Sequence, residues 1–120
     1  MAPICIDFDG TCVDHAYPDV GRDAPHAVRV LRILSGRYKL ILNTMRCGAY
    51  LDAALDWFRE NDIPLYGINH NPDQSEWTDS PKAWGLIYID DCGFGCPLVY
   101  VRGFNRPVVD WLAVERELCS

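Results

Sequence analysis

The sequence predicts an α/β fold with a mainly parallel sheet covered on both faces. Short runs that are apolar throughout, such as Ile4-Cys5-Ile6 and Leu86-Ile87-Tyr88-Ile89, alternate with segments of helical periodicity. Strands buried on both faces read as such runs, and strands alternating with helices build parallel sheets. Polar or acidic residues follow the runs, where open α/β sheets bind their ligands.

Ile4 to Phe8 reads as the first strand, followed by a polar loop through Gly21. Pro25 suits the first turn of a helix, with Val28, Leu31 and Leu34 on its apolar face and Gly36 as its stop. Tyr38 to Leu42 is the second strand. Leu51, Ala54, Leu55 and Phe58 recur at i, i+3, i+4 and i+7, an amphipathic helix closing near Asn61. Ile63 to Ile68 is a weaker third strand, and Asn69 to Pro81 a polar loop. Leu86 to Ile89 is the fourth strand and Leu98 to Val101 a short fifth. Pro107 opens a last helix bearing Val108, Trp111, Leu112 and Leu118. No repeat or linker interrupts residues 1–120, which read as one domain.

With 120 residues, a formal net charge of -6 and 49% hydrophobic residues, the composition is that of a globular protein. An acidic chain lacks the basic stripe of a nucleic-acid backbone binder, so nucleic acid is not favoured as a partner. The longest apolar stretch, Ala83 to Ile89, falls far short of the roughly 20 residues that span a bilayer. The first residues, Met1-Ala2-Pro3-Ile4-Cys5, show no basic region followed by an apolar stretch, and the expected location is cytoplasmic. The six cysteines are accordingly expected to be reduced.

The polar residues at the strand ends define a candidate site. Asp7 and Asp9 follow the first strand, Thr44 and Arg46 the second, and Asp90 and Asp91 the fourth, with Lys82 just before it. Asp7 and Asp9, two apart, are expected on one face of the strand end, where their charges repel by roughly 2–3 kcal/mol at about 6–7 Å. A chain tolerates this when a cation or a shared proton lies between them. Oxygen donors without paired His or Cys point to a hard ion, Mg²⁺ above all. A carboxylate is also a covalent nucleophile toward phosphorus, and a second carboxylate can move the protons.

Asp7-Phe8-Asp9-Gly10-Thr11, Thr44 at the end of the second strand, Lys82, and Ile89-Asp90-Asp91 resemble, in order, the four motifs of the haloacid dehalogenase (HAD) superfamily. The resemblance runs from Ile4 to about Asp91 and looks most like the small, capless phosphohydrolases. It implies a Rossmann-like three-layer α/β/α sandwich without a cap domain, and a Mg²⁺-dependent phosphatase. By position it makes Asp7 the nucleophile and Asp9 the general acid/base. Thr44 would bind phosphoryl oxygens and Lys82 would stabilise the transferring group. Mg²⁺ would be held by Asp7, Asp90, Asp91 and the backbone carbonyl of Asp9.

Gly10, Thr11 and Arg46 join Thr44 as expected substrate contacts, Arg46 as a phosphate ligand. The expected partner is a phosphorylated small molecule or macromolecule, and the open site suits a large substrate or a homo-oligomer in which a neighbour covers it. The alternative function is a catalytically weak module that keeps the metal site and recognises a phosphorylated partner. A third reading makes Cys92 and Cys96 a zinc or thiol switch, but a closed zinc site needs four ligands. Cys12, next to the first motif, is expected to expose a thiol near the site. His15, His26 and His70 read as surface positions.

Overall fold

The computed structural model describes residues 1–119. Strands β1 (Pro3–Ile6), β2 (Lys39–Leu42), β3 (Gly67–Ile68) and β4 (Ile87–Ile89) form a parallel sheet in the order β3-β2-β1-β4. Helix α1 (Ala27–Ser35) joins β1 to β2, and α2 (Gly48–Glu60) joins β2 to β3. Helix α3 (Trp111–Leu118) closes the chain after a small antiparallel ribbon of β5 (Leu98–Val99) and β6 (Val108–Val109).

Alternation along the strands separates two apolar clusters. Ile4, Ile6, Leu40, Leu42 and Ile89 face the main core, to which all three helices contribute through Leu31, Leu34, Phe58, Trp111 and their neighbours. Cys5 and Ile41 face the other way and pack against Ala83. The second covering layer is therefore the β3–β4 connection, which holds one 3₁₀ turn at Gln74–Glu76. The order of strands explains this. Two right-handed crossovers in one direction, β1 to β2 to β3, put α1 and α2 on one face, and the reversed step to β4 crosses on the other.

Buried amides organise that connection. Gln74, 2% exposed, donates to the carbonyls of Ser80 and Lys82 and accepts from Trp84 N. Asn71 donates to Trp84 O and accepts from Asp73 N. Each amide thus replaces ladder hydrogen bonds that an irregular segment lacks.

Several boundaries differ from the sequence expectation. The first strand ends at Ile6 rather than Phe8, so the acidic motif lies beyond it, although Asp7 N still donates to Ile89 O at 3.0 Å. The third strand shrinks to two residues because Ile63 turns into the core behind Asp62, whose φ is 55°. Leu98 and Val99 pair with Val109 and Val108, outside the main sheet. Pro107 precedes β6 instead of opening a helix, and α3 begins where the Asp110 carboxylate accepts from Ala113 N. Among the described residues no helix is long and apolar enough to cross a membrane.

Candidate functional site

The turn after β1 is built by its own backbone. Thr11 N and Cys12 N both donate to Phe8 O, and Gly10 N donates to Val13 O. Gly10 adopts a φ of +81°. A Cβ there would collide with the His15 ring and come within 2.6 Å of an Asp91 oxygen. Glycine is thus required twice, by its backbone conformation and by the close approach of two side chains. Gly10 closes the floor of the site.

Asp7, Thr11 and Asp91 meet on that floor. The Thr11 hydroxyl lies 3.2 Å from Asp7 Oδ2 and 3.3 Å from Asp91 Oδ1, and accepts from Asp91 N at 3.2 Å. Thr11 is fully buried, so its hydroxyl ties the ends of β1 and β4 together. Burial pushes the Asp7 carboxyl up to about 8, helped by its hydrogen bond with Asp91 and the charge of Asp90. One oxygen each of Asp90 and Asp91 and the Cys92 sulfur lie within 4.8 Å of one another. Among the described residues no lysine or arginine is ion-paired with Asp7, Asp90 or Asp91. The nearest basic group is His15, with Nε2 3.5 Å from Asp91 Oδ2 and 3.2 Å from Pro107 O. Because both neighbours are acceptors, Nε2 carries the proton.

Asp9 is placed differently. Arg46 donates to both its oxygens, from Nε at 2.8 Å and Nη2 at 2.7 Å. The remaining guanidinium hydrogens go to the carbonyls of Pro18, Asp19 and Tyr50. An arginine has five N–H groups, and every one here has an acceptor on the protein. The guanidinium lies 5.1 Å from the ring centres of both Phe8 and Tyr17, and its side chain is 1% exposed. Arg46 is therefore no phosphate ligand. It fixes Asp9, the 18–19 loop and the start of α2. Asp7 and Asp9 have turned to different neighbours, Asp7 to Thr11 and Asp91 and Asp9 to Arg46.

Thr44 is half-buried beside them. Its N–H donates to Asn69 Oδ1, and its hydroxyl accepts from Arg46 N at 3.2 Å, which leaves the hydroxyl hydrogen to donate elsewhere. Lys82 is exposed, its ammonium 5.4 Å from the Tyr88 ring centre and outside every ion pair of the described residues. Tyr88 pairs in register with Cys5, so Tyr88, Asp90, Cys5 and Asp7 follow one face by alternation. Lys82 thus stands on the side of Asp7 and Asp90 without touching either.

The cysteines are all free thiols. Cys12 is fully buried, with its sulfur 3.4 Å from Asp7 O, which corrects the expectation of an exposed thiol. Burial raises its thiol well above the ordinary range. Cys92 is exposed beside Asp91, whose charge raises its thiol too. Cys96 is not among the clustered donors, so the pair offers no closed zinc site.

His15 is a residue that sequence reasoning missed. It is held by a strap from the β5–β6 connection: Asp14, buried, accepts from Asn105 N, and Asn105 Nδ2 donates to His15 O. Arg22 donates to Gly103 O and stacks on Phe104. A carboxylate immediately before the histidine was the available signal, but its partner lies some ninety residues away.

Fold and site define an α/β protein with an acidic centre at the carboxyl ends of adjacent parallel strands, β1 and β4. The solved structure of a conserved protein from Bacteroides thetaiotaomicron is similar to it, with a TM-score of 0.79 and 31% identity over 98% of this chain and 89% of that one. The chain belongs to the same family as that protein. No family model and no curated protein matches the sequence.

Proposed function

We propose that the protein is a Mg²⁺-dependent phosphomonoester hydrolase working through a phosphorylated Asp7. The observation that carries this reading is the cluster of Asp90 and Asp91 donors with Asp7 beside it, hydrogen-bonded to Asp91 and bridged to it by Thr11, with no lysine or arginine among the described residues paired to any of the three. Such a set of hard oxygen donors fits a small divalent cation. Asp7, Asp90 and Asp91 would hold Mg²⁺, which would supply the charge neutralisation that lets an anionic carboxylate meet an anionic phosphate.

The remaining chemistry belongs to the chain. Asp7 attacks phosphorus in line with the leaving oxygen, and the P–O bond to the alcohol breaks as the Asp7–phosphorus bond forms. Asp9 takes up a solvent proton as one Arg46 N–H releases its oxygen, delivers that proton to the leaving oxygen and then takes one back from the water that cleaves the acyl phosphate. Thr44 donates its free hydroxyl hydrogen to a phosphoryl oxygen. Lys82 swings from Tyr88 toward the transferring group, where a cation stabilises the gathering charge. The six free thiols support a reducing, cytoplasmic setting.

The test is phosphate release from a panel of phosphomonoesters, with Mg²⁺ and with EDTA. Turnover that EDTA abolishes is expected, and turnover equal in both would overturn the reading. One observation favours a second reading, a binding module for phosphorylated partners. Both Asp9 oxygens already accept from Arg46, so proton transfer must disturb a closed fork. Mg²⁺-dependent capture of phosphorylated ligands without turnover would select that reading.

A further inference from the structure

Beside Asp9 opens a cavity of about 350 Å³ lined by Asp9, Tyr17, Met45 and Arg46. On the hydrolase reading, Asp9 serves the leaving oxygen, so the alcohol part of the substrate must extend along this wall. Its lining limits what that part can be. Arg46 is the one cation of the lining, but it is buried and all its N–H groups are engaged. Asp9 adds a carboxylate. A second phosphate or a carboxylate on the leaving group therefore meets no available donor there.

An apolar group finds the opposite. Met45 is 99% exposed and Tyr17 58% exposed, both large apolar surfaces offered to solvent at the mouth of a polar site. The Tyr17 ring is already fixed. The Arg46 guanidinium lies 5.1 Å from its centre, and Tyr50 meets it edge-on at 5.5 Å and 68°. A ring held in place loses little freedom when a second ring stacks on it, and a flexible thioether adapts to the ring's other edge.

We propose that the substrate is a phosphomonoester of an uncharged, apolar or aromatic alcohol, seated on Tyr17 and Met45. This rests on the hydrolase reading for its direction, so the test separates the two. In the presence of Mg²⁺, the full chain is titrated by calorimetry with benzylphosphonate and with phosphonoacetate, and assayed on benzyl phosphate and phosphoglycolate. Both esters derive from primary alcohols, so leaving-group chemistry does not decide between them.

Benzylphosphonate is expected to bind about tenfold more tightly than phosphonoacetate, and Tyr17→Ala to shrink that ratio by about 3–10-fold, the range of an aromatic pair. Tyr17→Phe keeps the ratio. Met45 touches solvent almost everywhere, so Met45→Ala reads the cavity even where Tyr17→Ala unsettles Arg46, and it lowers the ratio by about 2–5-fold. Equal or tighter binding of phosphonoacetate overturns the proposal, as does a ratio that neither variant moves. A benzyl preference without turnover of either ester supports the cavity and overturns the hydrolase reading alone.

Discussion

Asp9 sits in a forked ion pair with Arg46, whose N–H groups all reach acceptors, while Asp7 lies beside Asp90 and Asp91 with no lysine or arginine of the described residues paired to it. Only Phe8 separates them in sequence. The Asp9 side is completed from within: the guanidinium joins two loops and a helix start, and the charges match. The Asp7 side is assembled with equal care, by the Thr11 hydroxyl, the Gly10 turn and the strapped His15, yet no lysine or arginine of the described residues pairs with its carboxyl groups. A protein that can place an arginine so exactly against one carboxylate has left the other for a cation from outside. That difference separates a carboxylate matched within the chain from a set left for a cation from outside.

The sharpest way to break the comparison is to remove the Asp7 carboxyl group. Asp7→Asn should lower phosphate release by at least about 10³-fold while the protein stays folded by circular dichroism. Retained turnover removes Asp7 as nucleophile. On the compensated side the loss should also be one of stability. Arg46→Met strips the cation from a partly buried carboxylate and should cost about 2–4 kcal/mol in urea unfolding. Adding Asp9→Asn to Arg46→Met should recover part of that loss. An unchanged midpoint for Arg46→Met would show the fork to be ornamental.

Lys82 sharpens the picture from the side. Lys82→Ala should lower kcat by about 10²-fold through lost stabilisation of the transferring group. Its unfolding midpoint should barely move, since its contact in the structure is the face of Tyr88. A kcat within twofold of the parent would confine Lys82 to that contact.

The smallest effect is a pH dependence. Asp7 is pushed from its ordinary value near 3.8 up to about 8, so between those values the folded metal-free protein holds a proton that the unfolded chain releases. Stability therefore falls as pH rises across that window and levels off above it. Metal-free Asp7→Asn lacks this fall, and should exceed the parent by about 1–3 kcal/mol at pH 8.5 while matching it near pH 4. Parallel stability curves for the two proteins would contradict the placement of Asp7 among uncompensated carboxylates.

Much of this arrangement was legible in sequence. Apolar runs marked β1, β2 and β4, the i, i+3, i+4, i+7 pattern marked α2, and of the acidic pairs after β1 and β4 the structure brings Asp7, Asp90 and Asp91 side by side. What escaped reading depends on partners distant in the chain. Arg46 reads as a phosphate ligand or a surface salt bridge, and its burial emerges only when Asp9, Pro18, Asp19 and Tyr50 are folded around it. Gln74 and Asn71 read as solvated loop, and only the reversed crossover to β4 buries them against the sheet. Pro107 carries a helix-start signal, but β6 intervenes because Val108 and Val109 find a partner strand in Leu98 and Val99. His15 looked like a surface residue because the strap that holds it arrives from Asn105.

The most direct test of the uncompensated centre is thermal unfolding at pH 8 with and without Mg²⁺, for the parent and for Asp91→Asn. Mg²⁺ at about 100 times its dissociation constant should stabilise the parent by about 2.7 kcal/mol, and most of that gain should vanish in Asp91→Asn. A parent that unfolds at the same temperature with and without Mg²⁺ would contradict the account.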